Sequence, residues 1–218
     1  MGKNIRIALV DDHPIIRQGL RQLLESETDM EVVGEAGDAA EAMDVLVANP
    51  PDIAIFDLNL KGKNGIELIK DVRARGMNFP VLVLSVHSEM TYAERALRAG
   101  AQGYVMKEEA PEVVIGAIRS VLAGQVYVCE SLASKLLSRI TMGQVPQDED
   151  AAVAALSDRE LEVLEKIGQG VGTRDTSKQL GLSVSTVETY RANIKRKLDL
   201  KDGAEMARFA AEWILRQG

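Results

Sequence analysis

Cysteine, histidine and long apolar runs are all scarce in this chain of 218 residues. Its single cysteine, Cys129, excludes a disulfide framework and any zinc site built on several cysteines. No apolar run approaches the roughly 20 residues that cross a membrane, and the N-terminal MGKNIRIALV has no hydrophobic signal-peptide core. We therefore expect a cytoplasmic protein with no membrane partner, long enough for one large domain or two small ones.

The negative charge of the chain, −7 in total, is concentrated in its first part. Residues 1–150 carry 15 Lys and Arg against 23 Asp and Glu, whereas residues 151–218 carry 11 against 10. This asymmetry predicts two domains with different partners. Within the second part, basic side chains crowd one short segment, at Arg191, Lys195, Arg196, Lys197 and Lys201.

Strand-like and helix-like segments alternate over the first 123 residues. The strand-like runs are apolar and β-branched on both faces, which is typical of parallel strands covered by helices on two sides. The alternation predicts an α/β fold with an open, doubly wound, five-stranded parallel sheet. The predicted strands are 5–10, 31–36, 52–57, 80–86 and 103–107, and the predicted helices are 14–26, 39–48, 65–75, 89–99 and 111–123.

Polar side chains follow four of the five predicted strands. They are Asp11 and Asp12 after the first strand, Asp57 at the end of the third, Ser85 at the end of the fourth and Lys107 after the fifth. Because sheets of this kind place their working site at the carboxyl ends of the strands, we expect these groups to converge. Polar residues ordinarily begin at strand ends, so it is the whole set that indicates a site.

Three carboxylates beside an amine and a hydroxyl predict a magnesium site built for phosphoryl chemistry. Adjacent carboxylates disfavour each other's ionisation unless a cation neutralises them, and Mg²⁺ is typically held by one or two carboxylates together with a phosphate. Asp57 is the predicted nucleophile, because a carboxylate at a fixed strand end can form an aspartyl phosphate. Lys107 and Ser85 would then contact phosphoryl oxygens.

Four motifs along this edge are VDDHP at 10–14, FDLNLKGKNG at 56–65, LSVHS at 84–88 and GYVMK at 103–107. In combination they resemble the receiver domain of bacterial response regulators. The resemblance implies a flavodoxin-like strand order, 2-1-3-4-5, and a partner histidine kinase that phosphorylates Asp57. It also implies a Mg²⁺ site formed by Asp11, Asp12, Asp57 and the backbone carbonyl of Asn59, a switch pair of Ser85 and Tyr104, and a phosphate-sensing Lys107.

The sequence departs from the receiver pattern at two positions. Lys61 and Gly62 stand where receivers usually have Pro followed by Gly, so the loop loses a fixed φ and gains a cation near the acidic pocket. Glu108 follows Lys107 where receivers commonly have Pro. Neither change removes a chemical group from the predicted site.

From Leu156 onward the pattern is entirely helical. Ser157 and Glu160 fit a capping box, and two later helices joined by a short Gly-containing turn, the second of them basic, are typical of a helix-turn-helix. The charge pattern alone also allows a small helical bundle with a solvated basic face. The predicted helices are 158–169, 173–180, 184–198 and 202–215.

The stretches LSDRELEVL (156–164) and GLSVSTVETYRANIKRKL (181–198) resemble the LuxR-type DNA-binding domain. The resemblance implies that 184–198 is the recognition helix, with phosphate contacts from Thr186, Tyr190 and Lys197. Many relatives have Lys where this chain has Ser185 and Glu188, so the target sequence cannot be inherited. The predicted DNA-binding residues are Thr186, Val187, Glu188, Thr189, Tyr190, Arg191, Ala192, Lys195 and Lys197.

An apolar stripe on the last predicted helix has two interpretations. It packs on the domain core, or it forms a dimer seam that would match two half-sites on DNA. The resemblance favours the dimer, and both interpretations can hold together because Trp213 is large enough to serve either surface. The stripe consists of Met206, Phe209, Ala210 and Trp213.

Together the two resemblances predict a response regulator of the NarL/FixJ type. Residues 1–123 would be the receiver, 124–154 a linker with a short helix at 131–142, and 155–218 the helix-turn-helix domain. We expect a transcription regulator rather than an enzyme, in which phosphorylation changes dimerisation and domain exposure and so DNA binding. An orphan regulator that phosphorylation does not control, and a Mg²⁺-dependent phosphohydrolase with an aspartyl-phosphate intermediate, are the alternatives.

Overall fold

A computed structural model of the chain describes residues 4–86, 90–130, 132–134 and 152–217. The chain divides into two compact units: Ser134 is the last residue of the first, and the helices from Asp158 onward belong to the second. Among the helices of the described residues, none combines the length and the apolar character that a membrane span needs.

The first unit is a five-stranded sheet in which every neighbouring pair of strands is parallel. The strand order is β2-β1-β3-β4-β5, which confirms the predicted fold class and topology. The strands are β1 (Ile5–Val10), β2 (Met30–Ala36), β3 (Ile53–Asp57), β4 (Val81–Ser85) and β5 (Gly103–Met106), and the helices are α1 (Pro14–Glu25), α2 (Ala39–Ala48), α3 (Gly65–Ala74), α4 (Met90–Ala99) and α5 (Pro111–Leu122).

The central strands are buried along their whole length. All five residues of β3 and all five of β4 are buried, as expected for parallel strands covered by helices on both faces. Leu24 of α1 and Ile118 of α5 belong to one apolar cluster with Ile53 of β3. This packing fixes the strand ends, and therefore the polar groups that follow them.

The loop between β3 and α3 is held by a cap at one end and by a glycine at the other. Asn64 and Glu67 form a capping box at the start of α3. Gly65 donates its backbone N–H to the carbonyl of Leu58 at 2.8 Å. A Cβ atom on Gly65 would lie 2.2 Å from the carbonyl oxygen of Asp57, so only glycine lets α3 begin this close to the strand end.

A short extension of the sheet was not predicted from the sequence. After α5, the backbone of Tyr127 runs parallel to β5. Its N–H donates to the carbonyl of Gln102 at 2.9 Å, and its carbonyl accepts from the N–H of Tyr104 at 2.8 Å. Of the predicted linker helix, 132–134 are helical, and 131 and 135–142 lie outside the described residues.

The second unit consists of short helices, as predicted. Ser157 and Glu160 form the predicted capping box at its first long helix. Gly181, with φ of +64°, turns the chain between the second and third helices. The fourth helix packs on the first so closely that a Cβ atom on Gly168 would lie 2.5 Å from the carbonyl oxygen of Ala210. The helices are α6 (Asp158–Gly168), α7 (Thr173–Gln179), α8 (Val184–Lys197) and α9 (Gly203–Gln217).

The substitution Gly65→Ala is expected to lower the free energy of unfolding by about 1–3 kcal/mol, because the new methyl group forces the α3 backbone away from the end of β3. The matched control is Gly116→Ala in α5, where no atom lies within 4 Å of the added methyl group. This control should raise the free energy of unfolding by about 0.5–1 kcal/mol, since alanine is the better helix former. Urea unfolding followed by circular dichroism measures both. Equal effects of the two substitutions would contradict the close approach at Gly65.

Candidate functional site

The polar groups predicted at the strand ends converge on one buried amine. The Nζ atom of Lys107 lies 2.7 Å from Oδ2 of Asp11 and 2.7 Å from Oδ2 of Asp57. All three side chains are more than nine-tenths buried. The Lys107 N–H also donates to the carbonyl of Ser85 at 2.8 Å, which holds the end of β5 beside the end of β4. The fold therefore brings residues from four strand ends into one pocket.

Asp57 is the most strongly perturbed carboxyl group of this pocket. Burial raises its pKa to about 6, the Lys107 ammonium acts in the opposite direction, and the Asp11 carboxylate raises it further. Its Oδ1 atom accepts a hydrogen bond from the N–H of Asn59 at 3.2 Å. The side chain is thus fixed in direction. Because its ionised form is costly in this pocket, a cation that binds beside it would stabilise the carboxylate.

Asp12 lies at the mouth of the pocket, next to two further cationic or basic groups. The Nδ1 atom of His13 is 2.7 Å from Oδ1 of Asp12, 3.4 Å from Oδ1 of Asp11 and 3.9 Å from Oδ2 of Asp57. The Nζ atom of Lys61 is 3.8 Å from Oδ2 of Asp12. Lys61, which replaces the proline usual in receivers, therefore does bring a positive charge to the acidic pocket.

The carboxylate oxygens fit a divalent cation. Ligand atoms of Asp11, Asp12, His13 and Asp57 all lie within 4.8 Å of one another. Oδ1 of Asp12 and Oδ2 of Asp57 are buried, and their close contacts, both at 2.7 Å, are with Nδ1 of His13 and with Nζ of Lys107 respectively. A set of carboxylate oxygens is the donor set that Mg²⁺ prefers.

The two predicted switch residues lie on neighbouring strands. Ser85 is fully buried at the end of β4, and Tyr104 is buried on β5. Through its backbone N–H, Tyr104 is joined to Tyr127 in the segment that leaves the first unit. This link could not be predicted from the sequence, because a single backbone bridge has no residue pattern of its own.

The predicted recognition helix, α8, presents a polar face to solvent. Ser183 caps it by accepting a hydrogen bond from the N–H of Thr186, and Ile194 is buried beneath it. Tyr190, Arg191 and Lys195 are partly buried. The exposed residues of α8 are Val184, Ser185, Glu188, Thr189, Ala192, Arg196 and Lys197.

Two residues of the predicted DNA-binding set have other roles in this structure. Val187 is only 1% exposed, so it anchors α8 to the domain and cannot reach a base or a phosphate. The Nζ atom of Lys197 lies 2.6 Å from Oε2 of Glu160 and donates to the carbonyl of Ala155 at 3.1 Å. This ion pair joins α8 to the start of α6. Because Lys197 lies in a basic run, the sequence pattern indicated a DNA contact instead.

The predicted dimer stripe on α9 is largely a core stripe. Met206, Ala210 and Trp213 are each at most 2% exposed, because α9 packs these side chains into its own unit. Phe209 is partly exposed. These three side chains belong to the core of the unit in the single chain, and the dimer seam on this helix stays a prediction. On the same helix, Leu215 is 82% exposed.

Two family models match the chain, and they match the two units separately. The response regulator receiver domain matches residues 7–119. The bacterial regulatory proteins of the luxR family match residues 154–210. A receiver sheet with its acidic pocket, followed by a helix-turn-helix domain, defines the class of DNA-binding response regulators.

Relatives of known name align along almost the whole chain. The response regulator UvrY of Escherichia coli (strain K12) is 34% identical over 207 residues, which is 94% of this chain and 93% of that protein. The crystal structure of a LuxR-family two-component response regulator from Aurantimonas sp. SI85-9A1 is 37% identical, with a TM-score of 0.60, and covers 63% of this chain and 99% of that one.

A third relative was solved on DNA. It is RcsB from Salmonella enterica serovar Typhimurium bound to promoter rprA in the presence of phosphomimetic BeF3-. RcsB is 26% identical, with a TM-score of 0.63, and covers 96% of this chain and 99% of that one. The chain belongs to the response regulators of the NarL/FixJ type, as predicted, and is a transcription regulator. The phosphohydrolase alternative is not favoured.

The substitution Asp57→Asn is expected to stabilise the protein at neutral pH in the presence of a chelator. Because burial raises the pKa of Asp57 from 3.8 to about 6, ionising this group costs the folded state up to about 3 kcal/mol above pH 6. The cost falls as pH drops below about 6 and vanishes below about 4, where the carboxyl is protonated both folded and unfolded.

Urea unfolding from about pH 4 to about pH 8 measures this difference. The matched control is Asp44→Asn on α2, which neutralises an exposed carboxylate and should change the free energy of unfolding by less than about 0.5 kcal/mol. A stabilisation by Asp57→Asn that does not depend on pH would contradict the raised pKa.

Two neighbouring basic residues of α8 are expected to behave differently. Lys197→Ala leaves the buried Glu160 carboxylate without its ion pair, and should destabilise the second unit by about 1–3 kcal/mol. Arg196→Ala removes an exposed charge, and should leave stability unchanged but lower the salt slope of binding to duplex DNA by about 1. Trp213 is the only tryptophan and is buried, so its fluorescence reports unfolding of this unit. Equal stability of the two variants would contradict the assignment of Lys197.

Proposed function

We propose that Asp57 is the phosphoacceptor of a phosphorylation-controlled transcription regulator and that its phosphorylation changes DNA binding by α8. The observation that carries the proposal is the position of the buried Oδ2 atom of Asp57, 2.7 Å from the Lys107 amine. An oxygen held in this position is oriented to attack a phosphorus atom, and the ammonium beside it can bind an oxygen of the incoming phosphoryl group.

In the proposed reaction, a carboxylate oxygen of Asp57 attacks the phosphorus atom of a phosphohistidine on a sensor kinase. The new P–O bond forms as the P–N bond to the kinase breaks, and the electron pair of that bond stays on the histidine nitrogen, which takes up a proton. Lys107 then exchanges a carboxylate oxygen for a phosphoryl oxygen as its partner. Since the chain supplies only the acceptor, and the kinase supplies the phosphoryl group, we infer that it acts as a regulator and not as an enzyme.

Mg²⁺ is the proposed cofactor. Asp11, Asp12, Asp57 and the backbone carbonyl of Asn59 would hold it, and bound Mg²⁺ would neutralise charge on the transferring phosphoryl group. Ligand oxygens of Asp11, Asp12 and Asp57 that lie within 4.8 Å of one another support this assignment. The chain itself holds the oxygens of Asp11 and Asp57 together at the end of the sheet, through their shared contact with the Lys107 amine.

Signal transmission is proposed to begin at Ser85 and Lys107. The Ser85 hydroxyl would donate to a second phosphoryl oxygen. The hydrogen bond from the Lys107 N–H to the Ser85 carbonyl couples the two strand ends, so any displacement of one moves the other. Tyr104 lies on β5, the strand that Lys107 follows, and completes the proposed switch.

The output is proposed to be DNA binding by the exposed face of α8. Thr186, Glu188, Thr189 and Ala192 lie on or near this face, with Tyr190, Arg191 and Lys195 at its edges. The RcsB relative on its promoter supports DNA as the partner. We further propose that the active form is a homodimer on two half-sites, and that it acts in the cytoplasm, where its DNA and its kinase meet it.

The test is an intact-mass spectrum after incubation with acetyl phosphate and Mg²⁺. Wild-type protein should gain one phosphoryl group, and Asp57→Asn should gain none. Lys107→Ala should lower the yield or the rate, because the incoming phosphoryl oxygens lose their ammonium partner. Omission of Mg²⁺ should abolish the adduct.

The phosphorylated sample then enters a DNA-binding titration beside the unmodified protein. An adduct that forms on Asp57 and changes DNA affinity supports the whole proposal. No adduct, with DNA binding intact, would contradict it and identify an orphan regulator. An adduct on both wild type and Asp57→Asn would contradict the choice of phosphoacceptor.

A further inference from the structure

Glu188 is the one acidic residue of α8, a helix that carries four basic residues. Its side chain is 57% exposed. Ser185 and Ala192, which lie one turn away on either side of it, are exposed as well, whereas Val187 and Ile194 are buried on the side that packs in the domain. A carboxylate therefore stands near the middle of the exposed face of α8, where the phosphates of bound DNA would repel it.

Arg191 offsets part of this negative charge. Its Nε atom lies 3.9 Å from Oε2 of Glu188, which is three residues earlier on the same helix. An ion pair of this length on an exposed surface is weak. The guanidinium group therefore lowers the repulsion between Glu188 and phosphates but leaves the carboxylate oxygens able to accept hydrogen bonds from a ligand.

The hydroxyl groups beside Glu188 make hydrogen bonds within the helix itself. Oγ1 of Thr189 donates to the carbonyl of Ser185 at 3.0 Å. Oγ of Ser183 lies 2.8 Å from Oγ of Ser185 and 2.7 Å from Oγ1 of Thr186. Glu188 instead offers two carboxylate oxygens, which accept hydrogen bonds and cannot donate them. This part of the face therefore presents an acceptor to the edge of a base.

The four bases differ in how their major-groove edges receive an acceptor. Guanine presents two acceptors, and thymine presents an acceptor and a methyl group, so neither can pair with a carboxylate. Adenine presents an amino donor beside its own N7 acceptor, which repels a carboxylate oxygen. Cytosine presents its N4 amino donor and has no acceptor of its own in the groove. Cytosine is therefore the base that a carboxylate suits best.

We propose that Glu188 determines sequence specificity by accepting a hydrogen bond from the N4 amino group of a cytosine, at one position in each DNA half-site. The inference rests on the proposed binding of DNA by α8 and adds the base that this helix requires. Any other base at that position leaves the carboxylate unpaired among phosphates and weakens binding. Glu188 therefore acts by rejecting wrong sites as well as by binding the right one.

Selection of binding sites from a pool of randomised DNA duplexes tests the proposal, with the full chain in its phosphorylated and unmodified forms. Wild type should enrich duplexes that have a cytosine fixed at one position of each half-site. Glu188→Ala should lose the preference at that position and keep the others. Glu188→Gln should shift the preference to adenine, because an amide matches N6 and N7 of adenine.

The matched control is Asp175→Asn on α7. It neutralises an exposed acid that likewise pairs with a basic residue three positions away, Lys178 at 3.7 Å. Because this acid does not lie on α8, the substitution should leave the selected sequence unchanged.

Titration of defined duplexes at one fixed salt concentration measures the size of the effect. Replacing the cytosine by thymine should weaken binding of wild type by about tenfold or more, and binding of Glu188→Ala by less than about twofold. On a duplex of unrelated sequence, Glu188→Ala should bind more tightly than wild type, because phosphates no longer repel a carboxylate. A residue that only supports the fold would not lower discrimination and strengthen non-specific binding together.

The outcomes separate this inference from the proposed function. If Glu188→Ala selects the same sequence as wild type, or changes a position at which wild type requires a base other than cytosine, the inference is overturned while DNA binding by α8 stands. Loss of the cytosine preference in Asp175→Asn would also overturn it, because charge alone would then explain the preference. If wild type enriches no sequence in either form, the inference and the proposed DNA-binding function both fail.

Discussion

The contact of the Lys107 amine with two carboxylates is the interaction on which the pocket depends. Asp11 and Asp57 end or follow neighbouring strands, and both are almost fully buried. Two buried negative charges repel each other strongly, and each is costly to remove from water. An ammonium 2.7 Å from both offsets that cost, but not completely, since burial still raises the pKa of Asp57 to about 6. Part of the free-energy cost of ionising Asp57 therefore remains, and a cation or an electrophile that binds in the pocket reduces it.

The same requirement explains the architecture around the pocket. A parallel sheet brings carboxyl ends of strands to one edge, and helices on both faces hold them there. Gly65 allows α3 to begin against the carbonyl of Asp57, and the Ser85 carbonyl holds the backbone of Lys107. The second unit follows a different logic. It is nearly balanced in charge, and the Glu160–Lys197 ion pair joins α6 to α8. The exposed surface of α8 is polar and suited to phosphates and base edges.

The sequence allowed the fold to be predicted almost completely, because strand and helix periods alternate without interruption and the motifs at strand ends are specific in combination. The pocket was predictable for the same reason, since topology alone brings Asp11, Asp57 and Lys107 together. The contacts that individual side chains make were not predictable from the sequence. Lys197 looks like a DNA contact until its distance to Glu160 is known, and the α9 stripe that includes Trp213 reads equally well as core or as dimer seam. Tertiary packing decides which contacts these side chains make, and the local sequence pattern does not predict that packing.

The most direct test of the account is hydrogen exchange on the phosphorylated and unmodified protein, read at the amides of Tyr104 and Lys107. Both residues belong to the proposed path from the pocket, and both amides donate hydrogen bonds, from Tyr104 to the carbonyl of Tyr127 and from Lys107 to the carbonyl of Ser85. If occupation of Asp57 pulls Lys107 and Ser85 toward the phosphoryl group, protection at these two amides changes while that of β1 and β2 does not. Unchanged exchange at both amides, in a sample whose DNA affinity has shifted, would contradict the account and place the signal path elsewhere.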